Sequence, residues 1–139
     1  MVIVAGLFFV GFNSLQSKVN DWNSKDQVKQ KAEEIGNDAQ SIAKDIVAAS
    51  SSGDASQVLS DCQKLGSDVK AAQALPAAPV ASLNDKFQAS LTDFSQASSQ
   101  CVKGINDGDS NLVNDAARSL KSGLEKMTEF AKQLAVYVH

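Results

Sequence analysis

Histidine is nearly missing: the single copy, His139, is the last residue, so no rigid histidine site is expected. Histidine-based acid–base catalysis and histidine-rich metal centres are thereby set aside. No charge sign dominates, with 13 basic and 16 acidic side chains giving a net charge of -3. They are spread along the whole length and form no polycationic patch, which argues against nucleic acid as a partner. No stretch alternates apolar and polar residues with period two, and β-branched clusters are absent, so no strand is predicted. There is no Gly-x-Ser-x-Gly elbow and no glycine-rich phosphate loop. Asp107-Gly108-Asp109 offers two aspartates but not the alternating ligands, sixth glycine and twelfth glutamate of a calcium loop, and reads as a turn with an N-cap. Glu33, Glu34 and Asp38 form a carboxylate run, yet a di-iron bundle needs inward Glu-x-x-His pairs, so they read as a solvated face. No catalytic, cofactor-binding or metal-ligating residue is nominated, and the expectation is a protein that is not an enzyme and carries no cofactor.

The 139 residues, 43% hydrophobic and 21% charged, are one domain's worth. Residues 1–12 read MVIVAGLFFVGF, without a charge, and nothing else in the chain resembles them. As a helix they give about 18 Å, against the ~30 Å of a bilayer's hydrocarbon core. A signal peptide needs basic residues before such a run and a small-x-small site after it, and Asn13-Ser14-Leu15-Gln16 supplies no such site. The stretch is therefore expected to be the C-terminal part of a transmembrane helix, with Val4, Leu7, Phe8, Phe9 and Phe12 as anchor residues in contact with the lipid bilayer. A Val- and Phe-rich core helix is the alternative, although it would show a polar residue every third or fourth position. Trp22 would sit roughly 15 Å beyond Phe12 on a continuous helix, where an indole suits the headgroup interface or could equally pack on the bundle.

Beyond residue 20 the apolar residues recur at spacings of three and four. Four stripes result: Val28 to Ile46, Ala55 to Ala72, Leu83 to Ile105, and Val113 to Val138. Ser52-Gly53-Asp54 and Asp107-Gly108-Asp109 break the pattern as turns, glycine ending one helix in the left-handed region and aspartate capping the next. Between the two pairs, Pro76 and Pro79 forbid helix continuation, and Ser82 is expected to start the third long helix. The predicted architecture is all-α: an antiparallel four-helix bundle made of two helical hairpins over 21–138, preceded by a partial membrane helix over 1–20. Leu15, Val19 and Trp22 continue the spacing, so the first helix is expected to run on unbroken from the apolar start.

Cys62 and Cys101 lie on inward stripes of helices that the proline loop makes neighbours. Their depths from that loop differ by ~10 Å, an offset a seven-residue linker can absorb, so the geometry allows a disulfide; two buried free thiols are the alternative. A bridge would place the bundle in an oxidising compartment. Lys18, Lys25, Lys29 and Lys31, just after the apolar run, taken alone would place that side in the cytoplasm.

Taken together, Cys62, Ala74-Leu75-Pro76-Ala77-Ala78-Pro79, Cys101 and Gly108-Asp109-Ser110 make a chain that resembles actinobacterial membrane-anchored, extracytoplasmic helical-bundle proteins of unknown function. The resemblance covers a little over half the chain and implies an envelope location and paired cysteines, without any activity. The expected role is an accessory subunit at the cell membrane, single-pass with the bundle outside, packing on larger integral membrane proteins, specifically those of an actinobacterial respiratory supercomplex. The alternatives are a stand-alone bundle binding a lipid or small ligand between its helices, and an inhibitor-like bundle that binds proteins.

Overall fold

The stripes of period three and four become helices with one buried face each. The computed structural model describes residues 16–53 and 55–137. These contain α1 (16–26), α2 (Val28–Ser52), α3 (Ser56–Gln73), α4 (Ala81–Asp107) and α5 (Ser110–Tyr137), with no strand among the described residues. Each long helix packs on the next and α5 closes back on α2, the α4–α5 contact being the most extensive and the α2–α5 contact the least. This is the predicted all-α, helical-bundle architecture. None of the described helices is long and apolar enough to cross a membrane. Residues 1–12, with Val4, Leu7, Phe8, Phe9 and Phe12, lie outside the described residues.

The core is drawn from the predicted stripes: Val28, Ile35 and Ile42 from α2, Leu65 and Val69 from α3, Phe87, Leu91 and Phe94 from α4, and Leu120, Phe130 and Leu134 from α5 are all buried. Both glycines end their helices as the sequence suggests, whereas an aspartate cap is seen only at the second turn: α3 has Ala55 at its cap position with no side-chain cap, and Asp54 lies outside the described residues. Gly53 (φ 79°) and Gly108 (φ 66°) end α2 and α4 in the left-handed region, where a Cβ would be strained. The Asp109 carboxylate accepts hydrogen bonds from the Asn111 (3.0 Å) and Leu112 (3.3 Å) amides, capping α5. The third turn differs from expectation. α4 begins at Ala81, with Val80 at the cap position and no side-chain cap there, so Ser82 is not the helix start. Asn84 instead turns its side chain back, its Oδ1 accepting from the Ala78 amide at 3.1 Å and holding the proline loop against the helix.

Cys62 and Cys101 are paired in a disulfide, with Cα atoms 6.2 Å apart and both side chains fully buried. Beside the pair, the Ser98 hydroxyl donates to the Cys62 carbonyl at 2.7 Å. Ser98 reaches that carbonyl past Gly66, where a Cβ would lie 2.7 Å from its Oγ. The cross-link fixes the register of α3 against α4. Counting eleven residues from Cys62 reaches the end of α3 at Gln73, but the same distance back along α4 reaches only Ser90. The first turns of α4 therefore overhang α3, and the expected axial offset is absorbed by an overhang along which the proline loop lies.

The exposed overhang is what α1 covers. Trp22 packs edge-on against Phe87 (ring centroids 6.0 Å) and Phe130 (6.3 Å), while those two rings lie 4.7 Å apart. Its indole Nε1 donates to the Pro76 carbonyl at 2.9 Å, and only 6% of the residue remains exposed. Reaching this place requires the chain to turn, and the expected unbroken first helix is not what forms: Gln27 takes the left-handed conformation (φ 53°) between α1 and α2. A non-glycine residue there costs about 1–2 kcal/mol. Burial of the indole, together with a bond from the Lys29 amide to Asn23 Oδ1 at 2.8 Å that caps α2 from the preceding helix, offsets it.

Replacing both cysteines by serine (Cys62→Ser with Cys101→Ser) is expected to remove about 4 kcal/mol, the chain-entropy value for closing a loop of this length. Thermal melting without reductant should show a fall of roughly 10 °C; an unchanged midpoint would contradict a structural role for the bridge.

Candidate functional site

Three features outside the core could carry function: the aromatic cap, an acidic seam between α2 and α3, and a cleft between α2 and α5. Trp22 belongs to the first. An indole 6% exposed has no face left for lipid headgroups, so it serves the bundle rather than an interface. Val19, one turn earlier, is likewise fully buried in the same core.

The α2–α3 seam brings carboxylates face to face. Asp38 of α2 is only 8% exposed, with Lys64 Nζ 2.9 Å from its Oδ1 and 4.0 Å from Asp68 Oδ2. Its Oδ2 is buried and receives no hydrogen bond from any donor. Loss of water around this carboxyl, then its contact with Asp68, pushes its pKa up from 3.8 to about 6, against the opposing pull of Lys64. A proton on Oδ2 answers the missing donor, because a protonated Asp38 can donate to Asp68. Two helical turns along, Asp45 meets Asp61, and this contact raises the Asp45 pKa above its ordinary value. Lys64 is held above the usual lysine range by Asp38. Being 67% exposed, it offsets the acidic repulsion only in part. Sequence reading placed Asp38 on a solvated face; it is in fact buried, because α3 lies over that side of α2.

Polar residues between α4 and α5 are better matched. Ser122 Oγ and Lys126 Nζ both reach Asp93 Oδ2, at 2.7 and 2.9 Å, and Ser119 Oγ donates to Gln100 Oε1 at 2.9 Å. These pairs line the flank of the most extensive helix contact and leave no acceptor of their own short of a donor. Among the described residues no group of three His, Cys, Asp or Glu side chains is placed to hold a metal ion.

The third feature is a cleft of about 460 Å³ where α2 and α5 meet, with Ala32 and Gly36 on one wall and Leu124, Phe130, Ala131 and Leu134 on the other. Lys29, Glu33, Asn37 and Gln40 stand on its α2 side. A second hollow of about 280 Å³, between Ala43 and Ala117, shares Leu124 and Thr128 with it, so the seam stays open along its length. No reading of the stripes could locate this cleft, since Ala32, Leu124 and Leu134 count as ordinary core positions by spacing.

No family model, curated protein or solved structure matches the chain, and no property comes to it from a relative.

The acidic seam sets a pH dependence. The folded-state pKa of Asp38, about 6, lies above its unfolded value, so folding is favoured by its proton. That contribution is fully present below about pH 4 and is lost as the pH rises through about 6. Asp38→Asn, which keeps a donor toward Asp68, should stabilise the fold at pH 7.5 by on the order of 2 kcal/mol, read as a higher melting temperature. It should also shrink the gain that the unaltered chain shows between pH 7.5 and pH 5. Melting curves of both proteins at the two pH values decide it; equal pH dependence would refute the shared proton.

Proposed function

We propose that this protein is a non-enzymatic accessory subunit: a single-pass membrane protein whose disulfide-tied bundle stands on the extracytoplasmic side and packs on larger integral membrane proteins. The observation that carries the reading is the pairing of Cys62 with Cys101 in a chain that also contains the uncharged run of residues 1–12. A bridge of this kind persists outside the reducing cytosol. The uncharged run is the sort of sequence that lipid or partner helices cover. The specific assembly we propose, the respiratory cytochrome supercomplex of actinobacteria, is supported by the resemblance to actinobacterial membrane-anchored bundles and by no motif of the chain.

A pull-down of the full-length protein from native membranes in mild detergent tests the reading. Stoichiometric recovery of large membrane subunits is expected, and recovery as a free monomer would count against it. In parallel, Leu7→Asp or Phe9→Asp should move the protein from the membrane to the soluble fraction, because a charge in the hydrocarbon region costs about 2.5–3.5 kcal/mol. The double cysteine variant should stay with the membrane. Retention of the aspartate variants in washed membranes would refute anchoring through residues 1–12.

A further inference from the structure

Five glycines in the bundle have a visible reason to be glycine, and a sixth does not. Gly53 and Gly108 hold left-handed turns, while a Cβ at Gly66, Gly104 or Gly123 would come within 3.0 Å of a neighbour. Gly36 lies in the middle of α2, and a Cβ there would meet nothing within 4 Å. A glycine inside a helix weakens it relative to alanine, so its presence at an empty place calls for something that uses the space. That space is the α2–α5 cleft, and its floor is apolar.

We propose that this cleft binds one hydrocarbon chain of a bilayer lipid. Its volume of about 460 Å³ falls within the range of small-ligand sites between bundle helices, and its walls are mostly aliphatic or aromatic with polar groups at the margin. The cleft occupies the first half of α2 and the last half of α5, at the end of the bundle where α1 joins α2. Lys29 stands at its mouth, makes no ion pair with any described carboxylate and can face an anionic headgroup. Taking the bilayer as the source of the chain rests on the membrane reading above; the binding of a hydrocarbon chain does not.

The protein carries its own reporter. Trp22 is the only tryptophan, and it contacts Phe130, whose ring lines the cleft. The full chain, stripped of lipid and held in an amphipathic polymer, is titrated with cis-parinaric acid, an eighteen-carbon fluorescent fatty acid, while energy transfer from Trp22 is followed. Saturable binding of one molecule per chain is expected. Gly36→Ala should bind within about twofold of the unaltered chain, whereas Gly36→Phe, which fills the cleft, should bind at least about tenfold more weakly. Ala131→Phe fills it from the opposite wall and should act alike, so misfolding of one variant does not decide the matter. Absence of saturable binding, or equal binding by both phenylalanine variants, would overturn the proposal. Flotation of the same proteins with phosphatidylglycerol vesicles separates the two readings. Both phenylalanine variants should float like the unaltered chain, and a chain that binds parinarate one to one without floating would sink the membrane reading while leaving the cleft.

Discussion

The register that Cys62 and Cys101 impose on α3 and α4 is the constraint from which the rest of this bundle follows. With those two positions level, the 18 residues of α3 cannot cover the 27 of α4. The uncovered turns carry Leu83 and Phe87, which water would otherwise meet. The proline loop lies along them, Trp22 closes them from above, and its bond to the Pro76 carbonyl ties loop and α1 together. The left-handed Gln27 is the local consequence of a long-range need: the chain breaks its helix so that one large ring can reach the overhang.

The two sides of the bundle manage polar groups differently. Between α4 and α5, serines and one lysine supply donors to Asp93 and Gln100, so the closest helix contact is also electrically settled. Between α2 and α3, carboxyl groups oppose each other, and only the exposed Lys64 stands against them at Asp38. Burial of Asp38 then favours the protonated form over the charged one. The α2–α3 seam thus contributes a stability that responds to pH.

The weakest closure of the ring lies between α2 and α5, where small residues and an unfilled cleft replace interlocking side chains. Helices approach closely elsewhere, where Phe94 lies against the backbone at Gly123 and the Ser98 hydroxyl against that at Gly66. The α2–α5 cleft is bordered by Leu124, Phe130 and Leu134, whereas the hollow of about 660 Å³ between α3 and α4 is lined mostly by polar side chains such as Gln63, Lys70 and Ser95.

Much of the fold was legible because period and punctuation are local properties. The stripes that begin at Val28, Ala55, Leu83 and Val113 follow from a helix of 3.6 residues per turn, and Gly53 and Gly108 from the left-handed positions that end helices. The inward placement of both cysteines followed from the same spacing. What spacing could not carry was anything set by a residue distant in the chain. Trp22 looked equally suited to an interface or a core until Phe87 and Phe130 were brought beside it. Asp38 looked solvated until α3 covered it. The sequence by itself determined which face of each helix turns inward, because that depends on residues three and four apart. Only the tertiary structure decided the register, the break at Gln27, the burial of Asp38 and the α2–α5 cleft, because each depends on how one helix lies against another.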